Sequence, residues 1–173
     1  HKYAVCDKTK LQEIYLNIVS NAIKYTPNGQ AIHVNITETA SDDKKAWYVF
    51  ICEDTGIGMK QEYLPHIFDE FSREHAATEN KVVGTGLGLS IVKSFVELMD
   101  GKIYVESEQG KGTKFTVEIP LEIASEEDVY KKKESEQSVI SDKSIRKRIL
   151  LAEDIQMAKN AGMNGHIAKP LDG

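Results

Sequence analysis

Apolar residues recur every three or four positions between Leu11 and Tyr25, and this spacing places them on one face of an α-helix. Asp7 is suited to cap the start of the helix, because its carboxylate can accept hydrogen bonds from free N–H groups of the first turn. Pro27 and the Asn28-Gly29 turn end it. The face predicted to be buried consists of Leu11, Ile14, Tyr15, Ile18, Val19, Ala22 and Ile23.

Short apolar or alternating segments before and after this helix predict β-strands, and the last two form a hairpin around a glycine-containing turn. The predicted strands are His1–Cys6, Gln30–Thr39, Ala46–Glu53, Lys102–Glu108 and Thr113–Leu121. A second helix follows a glycine-rich loop. Its buried face is predicted to be Leu87, Ile91, Phe95 and Leu98, with Val92 and Met99 alongside.

The polar edge of the first helix carries a candidate ligand site. Glu13, Asn17, Asn21 and Lys24 follow one another at steps of four, four and three, so they lie on one side of the helix. Two amides and a lysine could hold a hydrated Mg²⁺ and a phosphate together, because Mg²⁺ prefers oxygen ligands and keeps several waters. A solvated helix face without a ligand is the alternative.

A loop directly after the buried strand Ala46–Glu53 carries an acidic residue and two glycines, Asp54, Gly56 and Gly58. Glycines at these positions allow a ligand to approach the main chain closely. A carboxylate fixed at a strand end can accept a hydrogen bond from an exocyclic amine such as that of adenine. The alternative is an Asp-Gly turn in a hairpin.

The second glycine-rich loop, with Gly84, Gly86 and Gly88, leads directly into the second helix, whose free N–H groups can bind phosphate. It matches neither a dinucleotide-binding fingerprint nor a Walker loop, since Leu89 stands where the former needs glycine. The polar segment Ser72–Val83 before it has no periodicity, and we expect it to act as a lid.

Composition limits the class of protein. The net charge of -5 over 173 residues argues against nucleic acid as a main partner. Cys6 and Cys52 stand far apart and are expected to be reduced thiols of a cytoplasmic protein. No apolar run approaches the roughly 20 residues of a membrane span, and we expect no secretory leader. Because the chain opens at His1, we expect an excised fragment.

Residues 6–121 resemble the catalytic, ATP-binding domain of a bacterial sensor histidine kinase, of the Bergerat (GHKL) type shared with gyrase. Motifs of that family occur here in the same order: Asn17, Asn21, Lys24 and Tyr25 match the N box, Asp54, Gly56 and Gly58 the first glycine box, Phe68 and Phe71 the F box, Gly84, Gly86 and Gly88 the second glycine box, and Gly112-Thr113 the trailing motif. The resemblance implies an α/β two-layer sandwich, with a mixed sheet covered on one face by helices and the nucleotide between helices and lid.

The resemblance also implies a role for each matching residue. Asn17, and with it Asn21, would hold Mg²⁺ against the phosphates of ATP, and Lys24 would contact a phosphate. Tyr25 would lie against the adenine ring. Asp54 would accept a hydrogen bond from the amino group of the adenine, and Thr113 would support that contact. The second glycine box, including Leu87, would form the lid hinge and the phosphate-facing backbone. Lys81 stands near the lid arginine of many relatives and would contact phosphate.

The implied activity is transfer of the γ-phosphoryl group of ATP to a histidine on a partner domain. Relatives that hydrolyse ATP carry a glutamate where Asn17 stands, and an amide cannot take a proton from water. The implied partners are a histidine-bearing dimerisation domain and a response-regulator receiver, in the cytoplasm or in the cytosolic part of a membrane-bound sensor. A nucleotide-binding module without phosphotransfer and a free-standing ATPase are the alternatives.

The remainder of the chain divides into a charged linker, residues 122–148, and an apolar segment, residues 149–173, too short to enclose a core. Lys147–Asp154 resembles the first strand and acidic pair of a receiver domain, and Gln156–Asp172 resembles its last third, with Lys169-Pro170 as the lysine-proline pair. The middle third, with the phosphate-accepting aspartate, is absent. We therefore expect an internally deleted receiver remnant that accepts no phosphate.

Overall fold

The computed structural model describes residues 1, 3–72, 86–125, 127, 148–150 and 165–168. Its helices are α1 (Lys8–Tyr25), α2 (Gly88–Leu98) and a short 3₁₀ helix (Leu64–His66). The strands are β1 (Ala4–Cys6), β2 (Ala31–Ser41), β3 (Lys45–Asp54), β4 (Lys102–Glu108), β5 (Gly112–Ile123), β6 (Arg148–Leu150) and β7 (Gly165–Ala168). Every element predicted from residues 1–121 is therefore present, with ends displaced by a few residues.

Helix α1 begins where its cap was predicted. Asp7 accepts a hydrogen bond from the backbone N–H of Lys10 at 3.1 Å, and its hydrogen bond with the Lys10 side chain is the main cause that lowers the Asp7 pKa. Four residues of the predicted inner face are buried: Leu11, Ile14, Ile18 and Ala22. Ile23 is 45% exposed, so its predicted burial is wrong, because it lies roughly 100° around the helix from Ala22, at the margin of the apolar face.

The strands form one sheet in the order β6-β1-β5-β3-β2-β7. Strand β4 lies outside this order and pairs with residues 112–118 of β5. Every pairing among the described strands is antiparallel. The predicted two-layer sandwich is confirmed, but the described strands make no parallel pair, so they do not form the mixed sheet that was predicted. For the β2–β3 and β4–β5 pairs the reason is that short hairpin turns join them, which can only connect antiparallel strands.

The face of helix α2 that is buried differs from the predicted one. Val92 and Val96 are fully buried, whereas Ile91 and Leu98, predicted to be buried, are 38% and 69% exposed. Gly88 lies against α1, and Val92 and Val96 follow it at four and eight positions, so they face α1 as well. Apolar residues cover about half of the circumference of α2, opposite Ser90, Lys93, Ser94 and Glu97. Periodicity did not determine which part of this wide face packs against the core.

Both cysteines are buried, and neither forms a disulfide bond. Burial raises the pKa of the Cys52 thiol to about 12, so this side chain is protonated and unreactive at neutral pH. Cys6 and Cys52 belong to the core together with the buried faces of both helices. The prediction of two reduced core thiols is confirmed.

Strands β6 and β7 come from the C-terminal segment and lie at opposite edges of the sheet. Strand β6 pairs with β1, from Ala4 opposite Leu150 to Cys6 opposite Arg148. Strand β7 pairs with β2, from Ala31 opposite Ala168 to Val34 opposite Gly165. Of the helices within the described residues, none combines the length and the apolar character needed to cross a membrane.

Candidate functional site

The amide of Asn17 has a defined orientation on the polar edge of α1. Its Nδ2 donates to the backbone oxygen of Glu13 at 2.9 Å, and its Oδ1 therefore turns toward α2. A Cβ added to Gly88 would lie 2.7 Å from that oxygen. Glycine at this position thus keeps the amide oxygen accessible at the start of α2. Asn21, one turn further on, is half-buried on the same side of α1.

The C-terminal end of α1 is attached to the first glycine loop. The backbone N–H of Ile57 donates to the carbonyl oxygen of Tyr25 at 3.1 Å. A side chain on Gly56 would collide with that same carbonyl, so only glycine permits the approach. The Tyr25 ring is 40% exposed, and the Lys24 ammonium lies 5.1 Å from its centroid. The predicted phosphate contact and the predicted adenine contact are therefore neighbours.

The carboxylate of Asp54 is buried at the end of β3, with 7% of the residue exposed. Oδ1 accepts a hydrogen bond from the Gly56 N–H at 2.8 Å. Loss of solvent is the main cause that raises the Asp54 pKa, and it outweighs hydrogen bonds from Gly56, Thr113 and Thr26, which lower it. A buried acceptor of this kind can be satisfied by a ligand donor such as an amine.

The loop after Asp54 also packs against the β4–β5 hairpin. Gly58 has φ +59°, and a side chain there would collide with the backbone oxygen of Glu108. The N–H of Gly110 donates to the backbone oxygen of Ile57 at 2.7 Å. Thr113 lies directly opposite Asp54 in the β3–β5 ladder. The structure therefore brings Asp54, Gly56, Gly58 and Thr113 together as predicted.

Two polar residues of this region were missed by sequence reasoning. Thr26 is 1% exposed, and its hydroxyl lies 2.6 Å from the Ala22 carbonyl. Ser107 contacts the backbone of the first glycine loop and the Thr113 hydroxyl. A signal for Ser107 existed, because it continues the inward positions of β4 after Ile103 and Val105, where an apolar residue is expected.

The second glycine loop is described from Gly86 onward, so Lys81 and Gly84 lie outside the described residues. Gly86 has φ +75°, and its carbonyl accepts from the Phe71 N–H at 3.1 Å. Leu87 immediately precedes α2 and makes no side-chain cap, which leaves the first-turn N–H groups of α2 without a capping side chain from that residue. This helix start adjoins the Asn17 amide.

A conventional metal cluster is absent from the part of the chain that the structure describes: no three His, Cys, Asp or Glu side chains converge there. The candidate site instead has two ends along α1. Tyr25 and Asp54 form one, and Asn17 and Gly88 form the other. The eight residues from Asn17 to Tyr25 correspond to roughly 12 Å along the helix axis. An extended nucleotide could contact both ends.

Residues 6–123 match the family described as histidine kinase-, DNA gyrase B-, and HSP90-like ATPase. Over 153 residues the chain is 37% identical to the autoinducer 2 sensor kinase/phosphatase LuxQ of Vibrio parahaemolyticus, covering 86% of this chain and 17% of the relative. It is 36% identical to the sensor histidine kinase WalK of Bacillus subtilis over 126 residues, covering 73% of this chain and 20% of WalK. The chain thus spans about a fifth of the length of these relatives.

Two solved structures are also similar. The mycobacterial sensor histidine kinase MprB superposes with a TM-score of 0.51 and 28% identity, covering 66% of this chain and 72% of MprB. Full-length ShkA in complex with AMPPNP superposes with a TM-score of 0.51 and 32% identity, covering 69% of this chain and 23% of ShkA.

Proposed function

Since the chain belongs to the family of histidine kinase-, DNA gyrase B- and HSP90-like ATPases, we propose that it binds Mg·ATP and delivers the γ-phosphoryl group to a histidine on a partner domain. The observation that carries this proposal is the buried Asp54 carboxylate, opposite Thr113 at the strand ends, next to a glycine that leaves it accessible. The solved relative ShkA was crystallised with the ATP analogue AMPPNP.

In this proposal, Asp54 accepts a hydrogen bond from the amino group of adenine. The carboxylate is already held in place by the Gly56 N–H, so binding adenine does not require it to reorient. Tyr25 lies beside the same loop and provides an aromatic face for the base. Gly56 and Gly58 let the loop backbone pack closely against α1 and the hairpin, and Thr113 supports the amino contact.

Asn17 is the proposed Mg²⁺ ligand, and its geometry fits that role. Its amide nitrogen is occupied by the Glu13 carbonyl, so the neutral oxygen is the atom presented beside Gly88. Oxygen donors in small number, completed by phosphate and water, are what Mg²⁺ takes in nucleotide sites. Mg²⁺ bound there would neutralise phosphate charge. Asn21 assists Asn17, and Lys24 contacts a phosphate.

The second glycine loop is the proposed phosphate-facing backbone. Gly86, Leu87 and Gly88 lead into the first turn of α2, whose N–H groups favour anions. Lys81 and Gly84 are assigned to the same phosphate contacts on the basis of the motif alone. Phosphoryl transfer needs mainly positioning and charge stabilisation from the protein, which these groups supply.

The amide at position 17 favours a kinase over an ATPase. An amide cannot remove a proton from water, and Glu13 is exposed one turn away. The γ-phosphoryl group is therefore transferred to a histidine, which a histidine-bearing dimerisation domain supplies. From that histidine it is passed on to a response-regulator receiver. We place the activity in the cytoplasm, where ATP and such receivers occur. The whole protein is expected to be a hybrid sensor kinase.

The C-terminal residues are proposed to be a receiver remnant that accepts no phosphate, joined to the catalytic domain 1–121 by the linker 122–148. The family match ends at residue 123, which supports the first boundary. Incubation with a phosphorylated histidine donor, followed by detection of hydroxylamine-sensitive acyl phosphate, tests this: any labelled aspartate in residues 149–173 refutes it.

Calorimetric titration of the chain with ADP and ATP, with and without Mg²⁺, tests the proposed function first. Labelled ATP is then supplied together with a separate histidine-bearing hairpin domain of a sensor histidine kinase. We expect Mg²⁺-dependent binding and label on the added histidine. Binding without transfer would indicate a nucleotide-binding module, whereas steady phosphate release without an acceptor would indicate an ATPase. Failure to bind would overturn the assignment.

A further inference from the structure

The hydroxyl of Ser107 has three hydrogen-bond partners between the first glycine loop and the β4–β5 hairpin. The backbone N–H of Met59 donates to it at 2.9 Å. The backbone oxygen of Gly112 lies 2.9 Å away as an acceptor. The Thr113 hydroxyl lies at 2.9 Å as well. Ser107 is therefore the point at which the loop, the hairpin and Thr113 meet.

Counting protons determines the direction of each bond. A serine hydroxyl has one proton to donate and two lone pairs with which to accept. The Met59 N–H can only donate, and the Gly112 carbonyl can only accept. If all three contacts are hydrogen bonds, Ser107 gives its proton to Gly112, and the remaining contact requires Thr113 to donate its own proton to Ser107.

This arrangement leaves the Thr113 oxygen with acceptor capacity only. Thr113 stands directly opposite Asp54 in the antiparallel ladder, and opposite residues of such a ladder project from the same face of the sheet. Asp54, when ionised, is also an acceptor and nothing else. This end of the site therefore presents two neighbouring hydrogen-bond acceptors, which fit a ligand group that donates hydrogen bonds.

We infer that Ser107 is a specificity-determining positioning residue, which fixes the Thr113 hydroxyl as an acceptor and so selects 6-amino purines over 6-oxo purines. The inference rests on the proposed function, since it concerns the base recognised at the Asp54 site. A 6-amino group donates two protons, which suits two acceptors. A 6-oxo group brings a third acceptor against them, and such an unpaired contact lowers affinity.

The decisive measurement is the ratio of the dissociation constants for inosine 5′-diphosphate and ADP, measured by calorimetry on the full chain with Mg²⁺. Ser107→Ala frees the Thr113 proton, which can then donate to the 6-oxo group. We expect the ratio to fall roughly three- to tenfold, the effect of one hydrogen bond. Ser107→Thr retains a hydroxyl and should keep the wild-type ratio within about twofold.

A double-mutant cycle separates action through Thr113 from a general loosening of the loop. Thr113→Val removes the hydroxyl, so adding Ser107→Ala to it should leave the ratio unchanged. If Ser107→Ala acts only by removing the Met59 contact, it will weaken the binding of both nucleotides equally. The ratio of dissociation constants would then stay at the wild-type value, and this result would overturn the inference. Ser107→Cys, a poor acceptor of similar size, replaces Ser107→Ala if the latter does not fold, as judged by its apo melting curve.

The two proposals fail in different ways. Wild-type protein that binds neither nucleotide refutes the proposed function and this inference with it. Wild-type protein that prefers ADP, with a ratio insensitive to Ser107→Ala and Ser107→Cys, refutes only the role of Ser107.

Discussion

The side-chain oxygen of Asn17 faces the start of α2 across a space that only a glycine leaves open, since a Cβ on Gly88 would lie 2.7 Å from it. The pair joins the N box on α1 to the second glycine box on α2. Residues far apart in sequence thus form one surface, and substitutions at either should affect the same step of nucleotide binding.

Asn17→Ala should weaken ADP binding at least tenfold in the presence of Mg²⁺ and hardly at all in its absence, since it removes the proposed metal ligand. The apo melting temperature should change little, because the side chain is only half-buried. Calorimetric titration and thermal unfolding measure the two quantities. Gln12→Ala, on the exposed side of α1, is the matched control. An equal loss of apo stability would mean that Asn17 is structural.

Gly88→Ala should reproduce the loss of Mg²⁺-dependent affinity, because the added methyl group occupies the space in front of the Asn17 oxygen. The apo free energy of unfolding should change by less than about 1 kcal/mol, since alanine also favours the helix. Ser94→Ala, on the exposed side of the same helix, serves as the control. Unaltered Mg²⁺ dependence in the glycine variant would argue against this location of the metal.

Asp54 should make ADP affinity dependent on pH. Its pKa is raised above the ordinary 3.8, first by burial, so affinity should fall on acidification from pH 7 as the carboxylate acceptor is protonated. Asp54→Asn should bind ADP roughly 10- to 100-fold more weakly at pH 7 and lose this dependence on pH. Titrations between pH 5 and pH 8 check both points, and a wild-type affinity that rises on acidification would contradict them.

The same pKa predicts a sign for stability. Between the unfolded and the folded pKa, the folded state holds the Asp54 proton more tightly, so the contribution of Asp54 to the unfolding free energy falls as pH rises through that window. Any stability advantage of Asp54→Asn should therefore be largest at neutral pH and shrink as the pH falls toward 4. Urea unfolding at several pH values measures it. An advantage that grows on acidification would mean a lowered pKa.

Gly58 and Gly110 allow a comparison of steric conflict with backbone strain. Both have positive φ, +59° and +81°, but a Cβ meets the Glu108 carbonyl at Gly58 and nothing within 4 Å at Gly110. Gly110→Ala should cost about 1 kcal/mol, and Gly58→Ala at least about 2 kcal/mol more. Denaturant unfolding of both variants measures this difference. Equal costs would show that the loop can move away from the hairpin.

Sequence reasoning succeeded where one pattern had one structural solution. Helix α1 has a single apolar face, and most of its burial was predicted correctly. Asp54 stands between a buried strand and two glycines, so its position at the strand end was also predicted correctly, whereas its role toward a ligand stays a prediction. Helix α2 has a wide apolar face, and the part of it that is buried depends on the approach of Gly88 to Asn17, which no local pattern contains. Ser107 was missed because one of its hydrogen-bond partners, Met59, lies in a loop 48 positions away.

The tail could not be placed from sequence for a similar reason, since strands of three and four residues carry no periodicity. Their register is given by backbone pairing with β1 and β2. Ending the chain after residue 147 would leave both of those strands with unpaired backbone groups. We expect concentration-dependent association of such a truncated chain, measurable by light scattering, because open strand edges pair with other chains. A truncated chain that stays monomeric would contradict this.

The two outermost strand pairs also bear on how the polypeptide reaches its native state. Partners in the β1–β6 pair are separated by more than 140 positions, and those in the β2–β7 pair by more than 130. On a ribosome, these two ladders cannot close until residues 148–150 and 165–168 have been synthesised. Contacts over such separations slow folding. The outer edges of β1 and β2 therefore stay exposed in the nascent chain until β6 and β7 pair with them.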